Sequence, residues 1–269
     1  MKRFKLWLFA LTLIGIGLTG MLSFGKFVAF PLTIVLKMGS DETQTGVFFV
    51  VNSGDDPEEI TVTLADWQLE LDGSIRFLDA GSLTRSLAPT TEFSPVSFRL
   101  APQQRQQVNF TVRIPPGGQP GDRWAIFLVE GSDVEPVSGT TGEVQTQVGV
   151  RVRYGVKVFQ SDPVAIKNGR ITSLQLLSAR PLDLVVTFLN TGTAALRDVT
   201  GRVEIRDERG ETVRTLAMEE FTVLPDAERE VEVKGAEGDS LATGHYVALV
   251  IMDFGGDFLV AAELPFQVE

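Results

Sequence analysis

The 269-residue chain contains no cysteine and a single histidine, His245. A disulfide framework, a thiol nucleophile and a cysteine-based metal site are therefore excluded, as is any site that needs two imidazoles. Acid is missing from the first 29 residues, which nevertheless hold four of the 24 lysines and arginines (Lys2, Arg3, Lys5 and Lys26). All 35 acids lie in the remainder, which is thus more acidic than the overall net charge of −11. A body of that average charge is a poor candidate for nucleic acid or an anionic membrane surface. Amphipathic helical periodicity is also scarce after residue 30.

The N-terminus has the pattern of an export segment. "MKRFK" is a short basic start, and "LWLFALTLIGIGLTGMLSFG" (6–25) follows without a charge in 20 residues. A secretory hydrophobic region usually runs about 7–15 residues, whereas a membrane-spanning helix needs about 20. Two readings stay open: a signal peptide cleaved after small residues such as Ser23 and Gly25, or an uncleaved anchor. Both place the body outside the cytoplasm, in a periplasm or at a cell surface, and residues 1–29 are assigned to this segment. No second hydrophobic run follows, so no C-terminal anchor is expected.

Beyond it, period-2 hydrophobic segments recur between clusters of Gly, Pro, Asn and Asp, the signature of β-sandwiches. "LTIVLK", "TGVFFVVN", "EEITVTLADWQLEL", "SPVSFRL", "QQVNFTVRI", "DRWAIFLVE" and the stretch after Glu143 make about seven strands. "GRITSLQLL", "LDLVVTFLN", "VTGRVEIRD", "ETVRTL", "REVEVKG", "HYVALVIMDFG" and "FLVAAELPFQV" make a second set. The fold class predicted is all-β: two tandem immunoglobulin-like domains, 30–162 and 163–269, meeting at a fixed elbow near Gln160–Pro163. Each contains the same phrase, "FFVVNSG" (48–54) and "VTFLNTG" (186–192). In each, the Asn side chain is expected to cap a turn that the Gly completes with positive φ.

Signals for chemistry are sparse. "DFG" (253–255) ends a strand and has no Gly-rich loop or "HRD" beside it, so it reads as a turn. "DDPEE" (55–59) and "DERGE" (207–211) lack the alternating acids and distal Glu of a calcium loop and read as solvated turns. Asn109–Thr111 matches a glycosylation sequon inside a predicted strand, and His245 begins another without a visible partner. Trp67 and Trp124 sit in mid-strand and read as sandwich core. Asp66, Asp183 and Glu204 read as strand-face or turn residues. A non-enzymatic protein is expected, without cofactor or metal.

The unusual segment is "EVQTQVGVRVRYGVKVFQ" (143–160). From Val144 to Val158 every even position is Val, Thr or Tyr, while Arg151, Arg153 and Lys157 share the odd face. Strands usually run 3–10 residues, so this one is expected to break, at Gly149 or Gly155, or to project past its sheet. One reading is a sandwich strand whose cations guard a wet edge. The other is an edge strand offered to a partner by strand addition, with backbone hydrogen bonds supplying affinity. Val148, Val150, Val152, Val156 and Val158 would then fill the partner's groove, and Arg151, Arg153 and Lys157 would receive a carboxylate.

"FFVVNSGDDPEEITV", "SPVSFRLAPQQRQQVNFTV", "IPPGGQPGDRWAIFLVEG" and "VRYGVKVFQSDP" together resemble the PapD-like periplasmic pilus-assembly chaperones across most of residues 31–163. The resemblance implies two immunoglobulin-like domains at an angle, a long last strand of the first that completes an unfinished subunit, and a basic pair in the interdomain cleft holding the subunit's C-terminal carboxylate. The strand lysine of that pair corresponds to Lys157, or to Arg153 in a shifted register. The arginine of the first strand has no counterpart in "FPLTIVLKMG", whose only cation is Lys37. In the second half, "LDLVVTFLNTG", "VTGRVEIRDERGETV", "TVLPDAEREVEV" and "LATGHYVALVIMDFGGDFLVAAELPFQV" are similar to the second domain of cell-surface proteins that interact with WxL adhesins. The function expected is the binding or chaperoning of an exported surface or pilus subunit through residues 144–158. The alternative is a structural or adhesive surface module anchored by residues 6–25. The partner expected is an exported protein, not nucleic acid, with membrane contact only through an uncleaved N-terminal segment.

Overall fold

The structure, a computed structural model, describes residues 26–131, 135–141, 144–236 and 240–269, with only the backbone of 135–141 and 144–150. The leader expected at the N-terminus lies outside the described residues as far as Gly25. The first twelve strands are β1 (Phe27–Phe30), β2 (Thr33–Lys37), β3 (Thr43–Asn52), β4 (Glu58–Leu69), β5 (Ile75–Leu78), β6 (Thr91–Ser94), β7 (Ser97–Leu100), β8 (Arg105–Arg113), β9 (Arg123–Gly131), β10 (Glu135–Thr141), β11 (Val144–Val150) and β12 (Arg153–Ser161). Seven more follow: β13 (Gly169–Ala179), β14 (Leu182–Asn190), β15 (Leu196–Asp207), β16 (Thr212–Val223), β17 (Glu228–Lys234), β18 (Gly244–Asp253) and β19 (Val260–Val268). Among the described residues there is no α-helix, only a 3-10 turn at Ala88–Thr90.

These strands form two tandem immunoglobulin-like sandwiches. In the first, the sheet β1-β3-β8-β6 faces the sheet β2-β12-β9-β4-β5, with β7 paired to β4. Alternation sends Phe48, Val50, Val108, Phe110, Phe127 and Val129 into the space between them. Phe127 is the hub, its ring 5.1–5.2 Å from those of Phe48, Phe93 and Phe110. Removing such a ring costs about 3–5 kcal/mol. The second sandwich stacks β13-β14-β17 on β16-β15-β18-β19 around Leu184, Val186, Phe188, Val203, Ile205, Val250 and Met252.

Strand β1 starts two residues after Gly25, inside the stretch that the sequence assigned to the leader. Phe27 and Ala29 belong to the core, so the folded body includes them. The short strands β1, β5 and β6 escape sequence reading because four residues are too few to show a period. The turns at Asp253 and Asp207 behave as expected: the Gly255 N–H donates to Asp253 Oδ1, and the Arg209 and Glu211 N–H groups donate to Asp207 Oδ1. In "DDPEE" the expectation holds only in part, because Glu58 begins β4 and is buried.

The repeated phrase is one device used twice. Asn52 and Asn190 are both fully buried. The Asn52 amide donates to the carbonyls of Asp56 and Leu100, while its Oδ1 accepts from the Gly54 N–H. Asn190 donates to Ala194 and Val223 and accepts from Gly192. Each side chain thus ties its own turn to a distant strand end. The expectation of positive φ at Gly54 and Gly192 fails: neither is among the left-handed glycines. Gly192 is required by close approach instead, because a Cβ there would collide with the carbonyl of Ile166.

Each amide satisfies three backbone groups, and a buried group left without its partner costs roughly 1–3 kcal/mol. Asn52→Ala and Asn190→Ala are each expected to destabilise the protein by about 3 kcal/mol or more in urea denaturation. A loss below about 1 kcal/mol at both positions would contradict this assignment.

Candidate functional site: the last strand of the first domain and the interdomain cleft

The segment 144–158 does not form one strand. It breaks at Arg151–Val152, not at Gly149 or Gly155. Before the break, β11 pairs, among the described residues, only with β10, antiparallel from Val144↔Thr141 to Val150↔Glu135, as a two-stranded sheet apart from the sandwiches. After it, β12 runs antiparallel to β9 from Arg153↔Glu130 to Gln160↔Arg123. On its other side β2 joins in parallel, but only from Lys157↔Thr33 to Ser161↔Lys37. Arg153 to Val156 therefore have a strand on one side only, among the described residues. The Lys157 N–H donates toward β2, to the Leu32 carbonyl. By alternation, Arg153 and Gly155 turn their N–H and C=O groups to that same side, ahead of the point where β2 begins.

The valines expected to fill a groove separate into groups. Val156 and Val158 are 0% and 2% exposed in the first domain's core, so that expectation is corrected: they pack their own sandwich and are not available to a partner. Their face of β12 is the inner one, where Tyr154 meets Phe27 edge to face at 5.4 Å. Val152 is half-buried at the margin of that core. Val148 and Val150 lie in β11, where only the backbone is described.

The three cations also part company. Arg151 is exposed at the break. Arg153 forms an ion pair with its cross-strand neighbour Glu130, at 2.6 Å. Lys157 lies on the opposite face of β12 from the core valines, with its Nζ 5.3 Å from the centroid of the Trp67 ring. Two places on, Phe159 meets Trp67 edge to face at 5.8 Å. Over Phe159, at 5.5 Å, stands the guanidinium of Arg197 from β15 in the second domain. A cation over an aromatic face gains about 0.5–2 kcal/mol, more as water is excluded. One lysine and one arginine, contributed by different domains, thus occupy two touching rings.

Those rings belong to a separate apolar cluster: Ala65, Trp67, Trp124, Ile126, Leu128 and Phe159 from the first domain, Ala195 and Leu224 from the second. Trp67 and Trp124 are therefore buried between the domains and not in the sandwich core expected for them. The Trp124 indole N–H donates to the Trp67 carbonyl. Strand β9 is buried on both faces, since Ala125, Phe127 and Val129 point to the core while Trp124, Ile126 and Leu128 point to this cluster.

Asp122, which precedes β9, pins the elbow. It is 3% exposed. One carboxylate oxygen accepts from the Ala195 N–H and the other from the Asp162 N–H, while its own N–H donates to Thr193. Burial raises the Asp122 carboxyl above the usual range, against the lowering effect of those two N–H donors and of nearby Arg197. A second tether lies beyond the cluster, where the Leu71 carbonyl accepts from the Glu230 N–H and from Arg229 Nη1. Asp66, fully buried, holds the loop before Leu87 by accepting from the Leu83 N–H and the Ser86 hydroxyl. It has a structural part, as Glu204 does between Arg202 and Arg206. Exposed His245 faces Gln267 across β18 and β19. No metal-binding group of three acids or histidines occurs among the described residues.

No protein-family model matches the chain, and no curated protein matches it. Among solved structures it is similar to the chaperone–tip adhesin complex of CFA/I fimbriae biogenesis, with 9% identity, coverage of 90% of this chain and 98% of that one, and a TM-score of 0.49. It is also similar to the YadV chaperone, at 16% identity, 91% and 100% coverage and a TM-score of 0.44. A third is the CsuC–CsuE chaperone–tip adhesion subunit complex of Acinetobacter baumannii, at 10% identity, 89% and 98% coverage and a TM-score of 0.43.

Because the folded-state pKa of Asp122 is raised above its unfolded value of 3.8, ionising it opposes folding. That opposition is present at neutral pH and fades as pH falls through the raised value toward 3.8. Asp122→Asn removes the titration. The stability of the natural protein minus that of Asp122→Asn is therefore expected to shift in favour of the natural protein between pH 7 and about 4, in parallel urea titrations. A difference independent of pH would show that Asp122 ionises without cost.

Proposed function

We propose that this protein is a non-enzymatic extracytoplasmic protein that binds or chaperones an exported surface or pilus subunit by strand addition. The observation that carries this reading is the open side of β12 from Arg153 to Val156, ahead of the point where β2 takes up the same side. Strand addition needs unpaired backbone groups on a strand held rigidly from behind. Here β9 holds it from behind, and β9 is packed on both of its faces.

The residues assigned to the partner differ from a uniform row. Val148, Val150 and Val152 precede or flank the core, so they are the groove-filling set, while Val156 and Val158 stay in this protein's own sandwich. The carboxylate at the subunit's end is received in the cleft by Lys157. Arg197 would join it, supplying from the second domain the arginine that β2 lacks. Arg153, neutralised by Glu130, is a weaker receiver, and Arg151 sits beyond the cleft on the exposed break. A bidentate arginine–carboxylate pair is favoured over a single contact, which makes Arg197 the more valuable of the two cleft cations.

The test is a pull-down from periplasmic and cell-surface extract with three forms of the full chain: natural, Val150→Asp with Val152→Asp, and Lys157→Ala with Arg197→Ala. Circular dichroism checks that each is folded. The natural protein is expected to retain a defined exported subunit, the valine pair to lose it, and the cation pair to weaken it by roughly tenfold, the equivalent of 1.4 kcal/mol. An unchanged partner set in both folded variants would overturn the proposal.

A further inference from the structure

The outer face of the sheet β1-β3-β8-β6 departs from the rest of this acidic body. Val28 and Phe30 point outward from β1, and Val47 from β3, exposed to 37%, 42% and 40%, and Leu32 just beyond β1 is 48% exposed. The register sets Phe30 beside Phe49 and Val28 beside Val51, so the apolar residues are contiguous. The Phe30 and Phe49 rings lie 5.7 Å apart, and Arg105 stands 4.5 Å over Phe49. Farther along, the outward positions of β8 and β6 are Gln107, Asn109, Thr111, Arg113, Glu92 and Ser94, so Glu92 is the only acid on the face.

The place where the chain enters this face decides what covers it. Strand β1 is the edge strand, and directly before it come Lys26 and the uncharged run of 20 residues. A run of about 20 apolar residues spans a bilayer. Held by such a segment with no spacer between, the edge carrying Val28 and Phe30 stands at the membrane surface. Apolar side chains flanked by arginine, with the one acid of the outward strand positions on the opposite edge strand β6, suit an interfacial position, where aromatic and aliphatic groups enter the acyl boundary and guanidinium heads stay with the phosphates. We infer that this face lies on the lipid surface, with residues 6–25 retained as an anchor. It is the local exception to the body's average charge. The inference does not depend on strand addition at β12, which lies in the opposite sheet.

The chain has no cysteine, so a single introduced one takes a fluorescent label alone. The full chain is placed in vesicles of mixed phosphatidylcholine and phosphatidylglycerol carrying nitroxide lipid, labelled at Thr45→Cys on this face or at Thr215→Cys on β16. Strong quenching is expected at Thr45→Cys and little at Thr215→Cys. Adding Phe30→Ser and Val47→Ser should relieve the quenching while the protein still floats with the vesicles. Equal quenching at both labels would overturn the inference. So would a soluble natural protein from cells whose first residue is Lys26, or a Thr45→Cys label whose shielding depends on protein density, which would mean a second copy covers the face.

Discussion

Strand β9 runs between two hydrophobic compartments, and the arrangement of the whole molecule depends on that. Its six consecutive residues Trp124–Val129 alternate between the first sandwich's core and the interdomain cluster, so neither face is left for water. A sheet face bearing Trp67, Trp124, Ile126, Leu128 and Phe159 is far too apolar to remain solvated. The second domain is the cover it requires. The elbow is then fixed by directional bonds at the two margins of that cover, at Asp122 on one side and at Leu71 with Arg229 on the other. Apolar burial brings the domains together, and the hydrogen bonds choose the angle at which they stay.

The same arrangement explains how an acidic protein keeps cations in a cleft. Lys157 and Arg197 rest on ring faces, and among the described residues neither is paired with a carboxylate at ion-pair distance, although Arg197 is near enough to Asp122 to act on its charge. Arg153 and Glu130 illustrate the contrary case, a cation consumed by its neighbour across the strand. Positions that look equivalent in an alternating sequence therefore differ in what they can offer, according to what stands opposite.

Most of the fold was legible because the strands announce themselves by period 2 and by turn residues. The β-class, the two sandwiches and the doubled Asn device all follow from local patterns. Four-residue strands such as β1 and β6 were not legible, because a period cannot be read from so few positions. The site was legible only in part. Alternation correctly separated Val156 and Val158 from Lys157, but no local pattern says which face meets the core and which a partner. Arg197 was invisible, lying forty residues from Lys157 in another domain, and only the elbow brings the two onto touching rings. Trp67 and Trp124 were recognised as buried yet assigned to the wrong interior, since burial by a second domain leaves the same trace in sequence as burial by a facing sheet.

The double burial of β9 also bears on the order in which the protein comes into being. The first sandwich is completed by Ser161, while its cover is made from residues that follow, beginning with Ala195 and ending with Leu224. During synthesis an N-terminal sandwich emerges before the surface that shields it, and tryptophan-rich β-sheet is bare in the interval. Exposed apolar sheet of this kind is what draws nascent chains into aggregates. The first half of the chain is thus at its most exposed while the second is still being made.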